Sequence, residues 1–397
     1  MDFQYGEKGD KLKQDIRDFA KEYLPAGHRS RMAEEEHFDD AWVLYMSMAK
    51  RLSEKGWLTM TWPEEYGGKG ASYLEQVYYF ETCRYWGIPG IEMGVSGTGW
   101  VGPSLILFGT EEQKKKYLPP ISAGDPDGIW CTGYSEPDAG SDFASLQTRA
   151  ERKGDEYIIN GQKVWTSGAH RARWCWLAAR TDPDAPKHKG ISIIIVDMKS
   201  EGVTVRPLKN YLGLHYFNEI FFNNVRVPVK NLVGQENKGW NQLLQGLSNE
   251  RAMISGTVGS HRRMLDEFIH YAKETGLIKK SHIRRKLAEL AVEVETLKLL
   301  VYETGWKTEK EGFVVHEPSR DKALTDAINE KIAVLGTEML GEYSQVDPLH
   351  RDTKWSKLKD FVGNFYWSAP AAAIAGGTTD TQKNIVGQFG LRLPRAY

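Results

Sequence analysis

The period of the hydrophobic residues changes twice along this chain, which limits the fold to a helical part, a β part and a second helical part in that order. Up to residue 118 the apolar residues recur at helical spacing. Asp10–Leu24 carries Leu12, Ile16, Phe19, Ala20 and Tyr23, and Pro25 breaks the pattern. Asp40–Lys55 carries Val43, Leu44, Met48 and Leu52, with Gly56 as a stop signal, and a third helix runs through Leu74, Val77, Tyr78 and Phe80. Between the second and third, Trp62-Pro63-Glu64-Glu65-Tyr66-Gly67-Gly68 reads as a loop. Thr110 and Gln113 have the spacing of a capping box. The character changes at Pro119-Pro120. Short β-branched or aromatic runs then follow at Tyr157–Asn160, Lys163–Thr166, Trp174–Ala179, Ile191–Val196, Val203–Arg206 and Ile220–Asn223. Lys153-Gly154-Asp155-Glu156 and Asn160-Gly161 read as hairpin turns. From Gly239 helical spacing returns through Ser281–Lys307 and Lys322–Leu340. The reading is α+β, with an all-α domain at 1–118, a β-barrel or sandwich at 119–232 and a helical domain at 233–397.

Within the last part, Trp240, Leu243, Leu244, Leu247, Ile254, Val258, Leu265, Phe268 and Ile269 make one apolar stripe, with Glu250 and Arg251 on its two edges. A carboxylate so placed is either half of a structural ion pair or a base whose pKa burial has raised.

The balance of 52 Lys and Arg against 53 Asp and Glu argues against a nucleic-acid or anionic-membrane protein. Cys83, Cys131 and Cys175 lie far apart with no C-x-x-C, so neither a disulfide framework nor a metal site is expected. The N-terminus is charged from its second residue, and no apolar run approaches the roughly 20 residues of a membrane span. A soluble, reduced, cytoplasmic protein is the expectation. Thirteen tryptophans suit a large core or a pocket for a bulky apolar ligand.

Rossmann, P-loop, zinc-peptidase and serine-hydrolase motifs are missing from the sequence. Gly133-Tyr-Ser-Glu-Pro-Asp-Ala-Gly-Ser-Asp142 follows a strand, and its backbone N–H groups could receive an anion or a flavin carbonyl; it could equally be an ordinary acidic loop. Gly94, Gly97 and Gly99 admit two readings, close approach to a ligand or small residues at helix crossings. His170, His188, His261 and His282 stand among charged neighbours and read as surface residues.

Ser135-Glu-Pro-Asp-Ala-Gly-Ser-Asp142, Gly161-Gln-Lys-Val-Trp-Thr-Ser167, Val225-Arg-Val-Pro228, Gly234-Gln-Glu-Asn-Lys-Gly-Trp240, Glu250-Arg251 and Gly376-Gly-Thr-Thr-Asp-Thr-Gln-Lys-Asn384 together resemble the acyl-CoA dehydrogenase family, in its order and spacing. The resemblance implies a helical domain, a β domain and a C-terminal four-helix bundle, with FAD bound at their junctions. It places Tyr134, Ser135, Gly140 and Ser141 towards the flavin, Ser141 also near the CoA side. Trp165 packs by the isoalloxazine, and Thr166 and Ser167 bond its polar edge. Thr378 and Asp380 match FAD contacts, and Arg251 matches an arginine beside the CoA cleft. Many members carry a glutamate base where this chain has Gly376; a minority, the isovaleryl and long-chain types, carry it as the Glu of a Glu-Arg pair on the long helix, as Glu250-Arg251 does. Gly376 would then offer only its N–H to the thioester carbonyl. Arg84 is a candidate partner for a second carboxylate on the acyl chain, against a surface salt bridge. The implied reaction is α,β-desaturation of a bulky, branched, aromatic or dicarboxylic acyl-CoA, with an electron-transfer flavoprotein as acceptor. An oxidase or desulfinase-like relative, or a subunit of a heteromer, are the alternatives. The usual Arg and Phe-Gly pair after Tyr271-Ala-Lys-Glu is replaced by Thr275-Gly-Leu-Ile-Lys-Lys280, which leaves homotetramer against heterotetramer open.

Overall fold

The computed structural model describes residues 6–26, 28, 35, 37–94, 96–210, 212–243, 254–312, 314–346, 357–358 and 365–394. Glu250 and Arg251 lie outside the described residues, as do Leu244 and Leu247 of the apolar stripe. Helices α1 (Gly6–Tyr23), α2 (Asp39–Glu54), α3 (Tyr73–Trp86), α4 (Gly102–Phe108) and α5 (Glu111–Ser122) come first. Strands β1 (Trp130–Gly133), β2 (Arg149–Lys153), β3 (Glu156–Lys163), β4 (Trp174–Arg180), β5 (Ile191–Asp197), β6 (Val203–Lys209), β7 (His215–Pro228) and β8 (Leu232–Val233) follow. Then come α6 (Ile254–Glu274), α7 (Ser281–Glu311), α8 (Glu317–Leu340) and α9 (Thr379–Ile385). Contacts sort the chain into two compact units. One is Met1–Arg31, Ser72–Ile88 and Arg251–Tyr397; the other is Met32–Ala71 and Pro89–Glu250.

In the first unit, α3 lies against α6 and α7, and α1 against α3. The capping box of Ser72 and Glu75 starts α3, and Gly87 in the left-handed region ends it. Leu287, Leu290, Val294, Leu297 and Val301 alternate steps of three and four along α7, so all five fall on one stripe. They bury against Val258, Leu265 and Phe268 of α6 and Ile328, Ile332 and Leu335 of α8. Gly259 lets α6 approach α3, since a Cβ there would sit 1.9 Å from the Glu81 carbonyl oxygen. The helix α8 begins at Glu317 rather than the expected Lys322, because Pro318 fits a first turn whose N–H has no helical partner.

His261 corrects the sequence reading. It is not a surface residue but 0% exposed on α6, with Nε2 2.7 Å from Asn329 Oδ1 and Nδ1 buried without a partner. Burial pushes its pKa down to about 4 against the opposing hydrogen bond from Asn329. Between that value and the ordinary 6.5 the unfolded chain binds the extra proton, so stability is lost as pH falls through this window. His261→Gln is expected to be more resistant than the parent to acid, by about 3 kcal/mol at pH 4. Urea midpoints at pH 7 and pH 4.5 check this; parallel losses in both proteins would refute it. His188 and His282 are exposed as expected, and His170 is half-buried.

In the second unit the strands join in one hydrogen-bonded sheet in the order β6-β7-β3-β2-β4-β5-β8, with β1 parallel to β4. The two-residue turn Gly154-Asp155 links β2 and β3 as expected. Asn160-Gly161 is not a turn. It forms an irregularity within β3, where the register against β7 shifts and a Cβ at Gly161 would meet Thr148 at 2.5 Å. Lys163–Thr166 is not a strand either: β3 stops at Lys163 and the chain turns at Trp165. The helix α5 continues through Pro119 and Pro120, because both lie in its last turn and their carbonyls still accept from Ala123 and Asp125 N–H. Of the glycines read as ligand-approach or packing positions, Gly94 and Gly97 pack closely, with Cβ clashes at 2.4 and 2.9 Å from Trp130 and Met93, and Gly102 does so as well, at 1.9 Å from Trp62.

Candidate active site

After β1 the chain reverses in a tight turn, in which Glu136 and Ala139 exchange both main-chain hydrogen bonds, at 3.1 and 3.2 Å. One buried ion pair fixes this loop. Lys163, 0% exposed at the end of β3, donates to Glu136 Oε1 at 2.7 Å and to the Tyr134 carbonyl at 3.0 Å. The Glu136 carboxylate also accepts the N–H groups of Gln147 at 2.7 Å and Thr148 at 2.9 Å. Burial alone would raise the Glu136 carboxyl, but the Lys163 charge and these donors outweigh it and hold it below its ordinary value. Burial lowers the Lys163 ammonium to about 8, with Glu136 opposing, so both groups stay ionised at neutral pH. The sequence contained this pair, a Glu inside the loop motif and a Lys closing a strand, but not their meeting.

The Val164 N–H donates to the Ser135 carbonyl at 2.9 Å, which sets the Tyr134–Asp142 loop beside Trp165-Thr166-Ser167. The Tyr134 ring lies between Trp100 and Phe143, at centroid distances of 5.9 and 5.6 Å. Gly140 and Ser141 are exposed on the loop. Trp165 is 59% exposed with φ +60°, a backbone region costly for a bulky side chain and characteristic of functional sites. Thr166 is 2% exposed, and its Oγ1 is buried with no hydrogen-bond partner. An orphaned buried hydroxyl costs about 1–3 kcal/mol unless something supplies a partner. Ser167 is half-buried beside it.

The remaining candidates belong to the first unit. Gly376 and Gly377 adopt φ of +68° and +92°, and Gln382 Nε2 donates to both their carbonyls, at 2.9 and 3.3 Å. The Thr378 hydroxyl accepts from Thr381 N–H at 3.2 Å and caps α9, while Asp380 is exposed. The segment is tied to α8 by Thr379 Oγ1, which donates to Asp326 at 2.8 Å, and by Lys322, which donates to Asp326 and to the Ala372 carbonyl. Arg84, in the last turn of α3, is half-buried, its stem against Gly256. Among the described residues no cluster of three or more His, Cys, Asp or Glu could hold a metal ion.

Three family models cover the chain almost end to end: acyl-CoA dehydrogenase N-terminal domain over residues 6–125, middle domain over 131–225 and C-terminal domain over 237–391. The chain belongs to the acyl-CoA dehydrogenase family. Acyl-CoA dehydrogenase FadE29 of Mycobacterium tuberculosis is 34% identical over 393 residues, 97% of this chain and 96% of that protein. Acyl-CoA dehydrogenase FadE26 of the same organism is 31% identical over the whole of both chains. Among solved structures, the Tcur3481-Tcur3483 steroid acyl-CoA dehydrogenase matches with a TM-score of 0.91 at 34% identity, and the ChsE4-ChsE5 complex from Mycobacterium tuberculosis with 0.86 at 31%, each over 100% of both chains.

As an acyl-CoA dehydrogenase the protein is an oxidoreductase that performs flavin-dependent dehydrogenation of an acyl-CoA, with FAD as its cofactor. The residues present fit that cofactor. The Thr166 hydroxyl has a buried valence to fill, and Trp165 exposes a flat apolar face beside it. No helix among the described residues is long and apolar enough to cross a membrane.

Proposed function

We propose that this acyl-CoA dehydrogenase desaturates the α,β bond of a bulky acyl-CoA thioester, with Glu250 as the base. The observation that carries the reading is the occupant of the commoner base position. Gly376 has no side chain, and its φ of +68° is strained for any residue that has one. Glu250 then takes the α-proton, its pKa raised by desolvation in the substrate-bound site. The Gly376 N–H donates to the thioester carbonyl oxygen and stabilises the negative charge that develops there, an effect worth several kcal/mol. Tyr134, Ser135, Gly140, Ser141, Trp165, Thr166, Ser167, Thr378 and Asp380 hold the FAD, and Ser141, Arg251 and Arg84 lie towards the substrate. When bound, the flavin supplies the acceptor for the β-hydride. Retention of Glu250 favours α,β-desaturation over chemistry that dispenses with a base, and the acceptor we assign is an electron-transfer flavoprotein.

A bulky acyl group is supported by the steroid enzyme that matches this chain over its full length. Anaerobic flavin bleaching against straight-chain, branched, dicarboxylic, aromatic and steroid acyl-CoAs tests it. Steroid or other ring-bearing thioesters are expected to bleach at least tenfold faster than straight chains; the reverse order would overturn the assignment. A colourless purified protein that takes up no FAD would overturn the flavin site itself. A heteromer with a related chain is the second reading for the assembly. It is favoured by the Tcur3481-Tcur3483 and ChsE4-ChsE5 structures, each named for two proteins, and by the tight turn Leu277–Lys279 where the family's Phe-Gly pair is missing.

A further inference from the structure

Asn218 lies on β7 on the same face as the core residues Ile220 and Phe222, and is 0% exposed. A polar amide in that alternation needs a full set of partners, and it has them. Its main-chain carbonyl accepts the Thr166 N–H at 3.0 Å, and its Nδ2 donates to the Thr166 carbonyl at 3.0 Å. One residue therefore holds both main-chain polar groups of Thr166, and the only polar atom of Thr166 left without a partner is the hydroxyl. Because Nδ2 must face the Thr166 carbonyl, the amide orientation is settled, and Oδ1 turns to His215 Nε2 at 2.7 Å, which must donate. The second Nδ2 hydrogen, which also has the Tyr216 carbonyl at 3.5 Å, is directed at the nearer His170 Nδ1, 3.3 Å away.

That last contact has a chemical requirement. His170 Nδ1 can accept only while it carries no proton. A proton there would set one donor against another, and would charge a ring stacked on the His215 ring at 3.9 Å. Other basic groups gather nearby among the described residues. The His215 N–H donates to His37 Nδ1 at 3.0 Å, Arg171 follows His170 in sequence and is paired with Asp39, and Lys209 and Arg171 act on His37 as further positive charges.

We propose that Asn218 is a positioning residue for the cofactor, which clamps Thr166 so that its hydroxyl is presented to the flavin, and that the clamp closes only while His170 is neutral. This rests on the placement of Thr166 in the FAD site given above. It predicts a flavin affinity that depends on a residue outside the flavin site and that weakens on acidification.

The test is FAD binding to the apoprotein, read by quenching of flavin fluorescence. At pH 7.5, Thr166→Val and Asn218→Ala are each expected to weaken binding about tenfold or more, and the double variant no further than the weaker single one, since both act through one hydroxyl. Additive losses would overturn the role of Asn218 while leaving Thr166 at the flavin. An unchanged affinity in Thr166→Val would overturn the flavin placement and this inference with it. Should Asn218→Ala fail to fold, the pH arm decides. The parent is expected to lose up to about tenfold in affinity between pH 7.5 and 5.5, and His170→Gln, which can still accept but does not titrate, to lose less than threefold. Equal losses in the two proteins would overturn the proposal.

Discussion

Glu250→Gln is expected to abolish the bleaching of bound flavin by acyl-CoA while the protein remains yellow, with a fall of at least about a thousandfold in the reductive rate. Glutamine keeps the length and shape of the side chain and removes only the ability to take a proton. With Gly376 at the alternative position, no second carboxylate is available to substitute. Two readouts separate this from general damage: the FAD content of the purified variant, and its melting temperature relative to the parent. Both should be unchanged. Bleaching at the parental rate would return Glu250 to a structural ion pair. Loss of FAD together with activity would instead make it a residue of the fold, and the base would have to be sought elsewhere.

The second large effect concerns stability. Lys163→Met leaves Glu136 buried beside the cofactor loop with its charge uncompensated, and breaking a buried pair in this way costs about 3–5 kcal/mol. In the parent the Glu136 carboxyl is held low, so its contribution is present at neutral pH and is lost as pH falls through that low value. In the variant the sign reverses. With Lys163 gone, burial dominates and raises the carboxyl above its unfolded value, so Lys163→Met should fall short of the parent by less at pH 5 than at pH 8. Adding Glu136→Gln removes the charge but keeps an acceptor for the N–H groups of Gln147 and Thr148, and should recover part of the loss. Urea midpoints at the two pH values provide the measurement. A double variant as unstable as Lys163→Met at pH 8 would show that the missing lysine, and not the stranded carboxylate, sets the cost. FAD retention should follow stability in this series, because the same pair fixes the Tyr134 carbonyl.

The helical and β parts were legible because their residues repeat at 3.6 and 2. The alternate threes and fours of α7 and the solid apolar runs of β4 and β5 are statements about which faces are buried. The capping boxes at Ser72 and Thr110 are local hydrogen bonds, and the Thr110 box could be read from spacing alone. What could not be read depends on residues distant in sequence. His261 has charged neighbours along the chain, yet its helix turns it towards Asn329. Asn160-Gly161 has turn chemistry, yet β7 pairs across it. Trp165 looked like the end of a strand, yet its left-handed backbone redirects the chain. Asn218 did leave a trace, a polar residue in step with Ile220 and Phe222, but only the folded sheet shows what it holds.

The division of the chain between the two units has a consequence for how the molecule can be made. Neither unit is a single stretch of sequence: the sheet unit spans Met32–Ala71 and Pro89–Glu250, and the helical unit takes in chain from before, between and after these segments. As the polypeptide leaves the ribosome, the sheet unit has all its residues once Glu250 is out. The helix α3 can pack on α1 early, but its apolar surface against α6 and α7 stays uncovered until those helices emerge. From Glu250 until α7 is out at Glu311, then, a nascent chain with a complete sheet unit carries an uncovered apolar helix face, the period in which aggregation competes with folding. A stop codon ahead of α7 is therefore expected to yield an aggregation-prone fragment, and the helical unit cannot be expressed by cutting the gene at one place.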